Sequence, residues 1–211
     1  MASSMIHLVV ANEVNKVLKK DKKAILIGSI SPDISKQIGE TKVLSHFLDD
    51  VDGGIPNIEK FLNKYREKLD DDFVMGYYIH LYTDYLWFKY FYPDFIKNEY
   101  IYKLDGIKEK VNEEKITKYF YNDYTNLNIK LIEEYNMDLK IFYEEVPEFN
   151  NIISEIPMDK LHIIIDKIGI IIENAKVKKD YVFNFDMVQK FIEDSVNYII
   201  SNLKDLDIIK R

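Results

Sequence analysis

The sequence predicts an all-α protein, and three observations carry that prediction. Apolar residues recur at three and four along most of the chain, no stretch alternates convincingly as a strand would, and 211 residues without a single cysteine are enough to bury a core with no disulfide or structural zinc. Residues 1–211 therefore read as one multi-helix domain.

Taken in order, Ser3 and Ser4 cap a helix to about Lys20, with Ile6, Val10, Val14, Val17 and Leu18 as its apolar stripe and His7 on that stripe. AILIGSISPDI follows, an apolar run whose length suits either a buried strand or a short helix. Gly28 and the Ser31–Pro32 step turn its end, with Asp33 at or just inside the next helical start. A short helix is expected over Lys42 to Leu48, enclosing His46 and stopped by Asp52, Gly53, Gly54 and Pro56. Asn57 caps a helix to about Leu69. Asp70 to Asp72 then favour the positive end of FVMGYYIHLYTDYLWFKYFY, which is apolar nearly all round until Pro93 and so belongs at the centre of the fold. The spacing of Ile116, Tyr119, Phe120, Tyr124, Leu127 and Leu131 predicts a helix over Lys108 to Asn136, with IKEKVNEEK as a solvated helix face. Two long amphipathic helices close the chain, Met158 to Ala175 and Phe185 to Leu206.

Composition narrows the chemistry. Zero cysteine removes thiolate nucleophiles, redox pairs and iron–sulfur ligation, so a transition metal here must be held by His, Asp and Glu, and the chain has four histidines. A net charge of −7 argues against a broad nucleic-acid or anionic-lipid surface. The opening residues lack the basic start and unbroken apolar stretch of a secretory signal, and LHIIIDKIGIIIENA carries Asp166, Lys167 and Glu173, too much charge for a membrane span. The expectation is a cytoplasmic protein with no transmembrane segment.

His80 and Asp84 form an HxxxD pair on the most apolar helix, four residues apart and so on one face. Burying both is costly unless a cation, a metal or dense hydrogen bonding satisfies them. The plainer alternative is that Asp84 accepts a hydrogen bond from His80 or a nearby tyrosine. Three further metal-capable residues stand in comparable settings: His7 on an apolar face, Asp33 after GSISP, and His46 in LSHFL. Imidazoles and carboxylates without thiolates are the ligand set of a catalytic zinc or a two-metal hydrolytic centre. Glu40 could accept from His46 and fix its tautomer, although a solvated loop residue is the default; His162 reads as a helix-surface or core-edge histidine. The tyrosines at 77, 78, 82 and 85 and Trp87 could line a lipid or base pocket, or simply fill the core.

His7 in MIHLVVANEVN, Asp33 in GSISPD, the SHF triplet at Ser45 to Phe47, and IHLYTDYLW around His80 and Asp84 together resemble the zinc-dependent phospholipase C family, related to the S1/P1 nucleases, over about residues 1–90. The resemblance implies an all-helical domain, with the metal-site half in 1–90 and extra helices in 91–211. It implies that Asp33, His46, His80 and Asp84 hold one zinc, that His7 belongs to a second sharing Asp84 as a bridge, and that Asp33 is the general base. Secreted members of the family also use the free amino-terminal residue as a ligand. Members with three zincs supply a further histidine and an HxxxE helix, but this chain has no histidine between His80 and His162. Asp123 in YFYNDYTNLN is the candidate to rebuild that site, against the stronger alternative of a capping or tyrosine-bonded carboxylate.

The function expected is a hydrolase of phosphate esters, a phospholipase C-like phosphodiesterase using water activated by one or two zinc ions or another divalent metal. Its substrate would be a small phosphoester or a lipid head group, with no nucleic acid expected. The alternatives are a non-catalytic metal-binding or metal-stabilised protein of the same fold, and a nuclease.

Overall fold

The structure is a computed structural model that describes residues 1–50, 54–149, 152–176 and 179–210. It is mostly helical, with one small sheet. α1 (Ser4–Leu18) starts where the Ser3 hydroxyl accepts the Ile6 N–H, and it ends at Lys19 in the left-handed region. The run left open between strand and helix is α2 (Lys22–Gly28), nucleated by Asp21, whose carboxylate accepts the Ala24 N–H. A tight turn at Ser31–Asp33 leads into the single-turn α3 (Ile34–Gln37).

The segment 42–48 departs from expectation. It forms successive turns, not a helix, because Phe47 adopts φ +53° and its carbonyl receives the Asn57 N–H at 3.1 Å. Phe47 is buried edge-on against Phe61, Tyr65 and Tyr77, and that burial outweighs the local helical tendency. Of the stop expected after it, Asp52 and Gly53 lie outside the described residues.

Asn57 caps α4 (Ile58–Tyr65), and Asp71 caps α5 (Asp72–Leu86) through the Phe73 and Val74 N–H groups. The chain does not stop at Pro93. It widens into a π-helical turn over Trp87–Phe91 and resumes as α6 (Tyr92–Phe95), where Pro93 sits in the first turn and its missing N–H costs little.

A second correction follows. Lys108–Lys110 is not helical but a strand, β3, joined to β1 (Ile96–Lys97) and β2 (Tyr100–Tyr102) in an antiparallel meander with Ile101 opposite both Ile96 and Glu109. Asp105–Gly106, with Gly106 at φ +81°, turns β2 into β3. Helix α7 begins only at Glu113, behind Asn112, whose side chain accepts the Lys115 N–H. α7 (Glu113–Glu134), α8 (Leu161–Glu173) and α9 (Phe185–Asp205) complete the fold.

One connected core runs from Ala2 to Leu203, with α5 buried on almost every side between α1, α2, α4 and α9. Tyr77, Tyr78 and Trp87 are core residues, whereas Tyr82 and Tyr85 are half-buried. α2 and α5 cross closely because two glycines face each other there. A Cβ on Gly28 would lie 2.2 Å from the Phe73 carbonyl oxygen, and one on Gly76 would lie 2.2 Å from that of Ile25. Among the described residues, no helix is long and apolar enough to cross a membrane.

Candidate metal centre

Five of the six residues singled out as ligands converge. α1 supplies His7, the turn after α2 supplies Asp33, the 42–48 turns supply His46, and α5 supplies His80 and Asp84. His7, His80, Asp84 and His46 are buried to 1% exposure or less, and only Asp33 is reached from outside. The donor atoms His7, His80 and Asp84 form one tight group and Asp33, His46 and His80 another, joined through His80.

Each side chain is aimed by its own support. α2 ends at Gly28, so the Ser29 carbonyl points free of the helix, and the His80 Nδ1–H donates to it at 2.7 Å. That bond fixes the tautomer and leaves a lone pair on His80 Nε2. The His46 ring is steadied by Ser45 Oγ, 2.9 Å from Nδ1, while Ser45's own carbonyl accepts from the Tyr77 hydroxyl. Glu40, the sequence candidate for that supporting role, is exposed. His7 stacks on His80 with ring centres 3.8 Å apart.

The remaining polar atoms have too few partners. His46 Nε2 faces His80 Nε2 at 3.2 Å and lies 3.6 Å from Asp33 Oδ1 and 3.8 Å from Asp84 Oδ2; His80 Nε2 lies 3.7 Å from that same Oδ2. Asp84 Oδ1 accepts the Ala2 N–H at 3.0 Å and stands 3.3 Å from His7 Nε2. Asp84 Oδ2 and both His7 nitrogens are buried without any hydrogen bond. Native cores rarely orphan such atoms, and an unsatisfied buried carboxylate oxygen costs on the order of 1–3 kcal/mol or more.

Electrostatics agree with a ligand set. Burial, and at His80 also the neighbouring His7, push the His46 and His80 pKa values down, so both imidazoles stay neutral with lone pairs available. Burial alone would raise the Asp84 pKa, but His7, 3.3 Å from its Oδ1, holds it down. Asp33 likewise resists burial through Lys42, whose ammonium closes on its carboxylate, and through His46. Both acids are therefore anionic at neutral pH.

Asp123 is not brought to this cluster. Its carboxylate accepts the backbone N–H groups of Tyr181, Val182 and Phe183 at 2.8, 2.7 and 3.1 Å, pinning the segment before α9 onto α7. Its oxygens are committed there, which corrects the expectation that it rebuilds a third site. Asp123→Ala should leave metal content unchanged yet cost roughly 3 kcal/mol by orphaning three N–H groups, a fall of about 6–12 °C in Tm for a chain of this size. Thermal unfolding paired with elemental analysis checks both halves. His162 is exposed on α8 and takes no part.

Sequence reasoning missed three contributors: the Ser29 carbonyl, the Ala2 N–H and Lys42. Backbone groups leave no side-chain signature. Lys42 could have been found, four residues before His46 in an otherwise apolar segment. Comparison with protein-family models, with curated proteins and with solved structures finds no match for the chain.

Proposed function

We propose that the protein is a metal-dependent phosphoric ester hydrolase of the zinc-dependent phospholipase C type, with Asp33, His46, His80 and Asp84 holding one zinc and His7 with Asp84 contributing to a second. The spacing of the donor atoms supports this most. Four tetrahedral ligands at about 2.0–2.1 Å from zinc are separated by roughly 3.3–3.4 Å, and the separations of His46 from His80, Asp33 and Asp84, and of His80 from Asp84, run from 3.2 to 3.8 Å. A cation there would also satisfy Asp84 Oδ2, which nothing else does.

Bound at this position, zinc would supply a water acidified to near-neutral pKa and positive charge for a phosphoryl oxygen. The chain's own groups do the rest. Asp33 is ionised and faces the opening, so it can take a proton from the attacking water as general base. Lys42, already against Asp33, holds that carboxylate in place. His80, fixed at Nδ1 by the Ser29 carbonyl, and His46, with the Ser45 hydroxyl at its Nδ1, both turn Nε2 to the cluster.

The full chain supplied with zinc should hydrolyse a chromogenic phosphodiester such as bis(4-nitrophenyl) phosphate. Turnover should vanish on chelation and fall about 100-fold or more in Asp33→Asn. Activity that survives in the chelated protein or in that variant overturns the mechanism. The burial of His7, His80 and Asp84 favours one competitor, a metal kept for stability alone, which predicts full metal content and no turnover.

A further inference from the structure

A pocket of about 350 Å³ opens beside Asp33, within the range of small-molecule sites. It is roofed by α7 and α8 and floored by the residues that lead into α1. Its charged lining is lopsided: Lys36, Lys42 and Lys167 against Asp33 alone, in a chain whose net charge is −7. Asp33 and Lys42 are paired with each other, so the charge left over in the lining is that of Lys36 and Lys167. Lys36 is held in place, its Nζ donating to the Tyr121 hydroxyl at 2.9 Å and lying 5.5 Å from that ring's centre. The rest of the α7 and α8 lining is largely apolar, from Ile116, Phe120, Tyr124, Ile164 and Ile168, with Lys167 on the same helix as the last two. Because Asp33 belongs both to the pocket lining and to the donor cluster, whatever fills the pocket lies against the one part of the cluster that solvent reaches.

We propose that this pocket binds an anionic phosphate monoester carrying an aromatic or branched apolar substituent, its phosphate drawn by Lys36 and Lys167 and its substituent lodged on the α7–α8 wall. The assignment of this ligand as substrate rests on the hydrolase reading above; its binding does not. A zwitterionic choline ester suits the pocket poorly. Its quaternary ammonium could rest on the aromatic side chains of the lining, but it would add a positive charge beside Lys36 and Lys167, and among the described lining residues the one carboxylate, Asp33, is already paired with Lys42.

Titration calorimetry with phenylphosphonate, a non-hydrolysable dianion, on the full zinc-supplied chain tests the pocket, with phosphocholine as the competitor. Phenylphosphonate should bind, and tighter than phosphocholine by about tenfold. Lys36→Gln and Lys167→Gln should each weaken it about fivefold, and the pair about 25-fold if they act independently. Lys204→Gln on α9, away from the pocket, should change nothing. Added salt should weaken the phosphonate more than the zwitterion. No binding of phenylphosphonate, equal or stronger binding of phosphocholine, or indifference to both lysine substitutions overturns the proposal. Binding with this lysine dependence but no turnover of any phosphoester sinks the hydrolase reading and leaves the pocket assignment standing.

Discussion

Asp84→Asn is expected to abolish metal binding, and with it all metal-dependent turnover. Asp84 is the only group whose two oxygens face both halves of the cluster, Oδ1 toward His7 and Oδ2 toward His46 and His80. An amide keeps the shape but loses the charge that a divalent cation requires, and it adds an NH2 that must point at imidazoles or at solvent-free space. A ligand held at 1,000 times its Kd stabilises the fold by about 4 kcal/mol. For a chain of this length that is a rise of about 8–16 °C in Tm. Wild-type protein should therefore lose that increment on chelation, while Asp84→Asn and His46→Ala should contain no metal and melt at one temperature with or without chelator. His162→Ala, on the exposed face of α8, should behave as wild type. Negligible metal in the wild type, or metal retained by both cluster variants, would show that these histidines are core residues and nothing more.

The cluster also explains why an apolar helix tolerates two ionisable residues. α5 is buried on nearly all sides, so each polar atom on it needs a partner brought by another element. His80 finds one in Ser29 at Nδ1, and Asp84 finds one in Ala2 at Oδ1. The inner atoms, His80 Nε2 and Asp84 Oδ2, are left pointing at each other's neighbourhood across 3.7 Å. Outer atoms anchored to the protein and inner atoms converging on one another, Asp84 Oδ2 among them without a hydrogen bond, is the arrangement of ligands with their supporting hydrogen bonds already made.

Much of this was legible in the residues. HxxxD at His80 and Asp84 places both groups on one face by helix geometry alone, and the apolar surroundings of His7 and His46 marked them as buried. The caps at Ser3 and Asn57 were read correctly, because a side chain accepting from the first turn is a local event. What sequence could not show was long-range. Phe47 turns into the left-handed region because of aromatic neighbours from α4 and α5, which no window around residue 47 contains. The charge of Lys108–Lys110 hides a strand, although Asp105–Gly106 between two short runs is a hairpin signal. Asp123, acidic and among aromatics, reads as a candidate ligand but more strongly as a capping or tyrosine-bonded carboxylate; its partners are backbone N–H groups almost sixty residues away, which no local window contains.

Gly76→Ala should be among the most damaging single substitutions in the molecule, although it adds one methyl group. The new Cβ would stand 2.2 Å from the Ile25 carbonyl oxygen and 3.0 Å from the Ser29 nitrogen, both backbone, so no side chain can swing aside. α2 and α5 must separate, and overpacking of this kind costs about 3 kcal/mol or more, a fall of roughly 6–12 °C in Tm. The damage should not stop at stability. Ser29 lies one residue beyond α2, and its carbonyl sets the His80 ring at 2.7 Å. Pushing α2 away loosens that bond, and loss of such a supporting contact typically lowers metal affinity 10–100-fold. Gly39→Ala provides the contrast: φ is +80° there but nothing lies within 4 Å of the added carbon, so only backbone strain of about 1–2 kcal/mol applies and metal affinity should be untouched. Melting curves and competitive metal titration of the two variants separate the cases. An unchanged Tm in Gly76→Ala would contradict the close crossing, and a lowered Tm with unchanged metal affinity would contradict its role in setting His80. The glycine pair thus ties the packing of the core to the aim of a ligand: the two helices come close enough for a backbone carbonyl on one to orient an imidazole on the other.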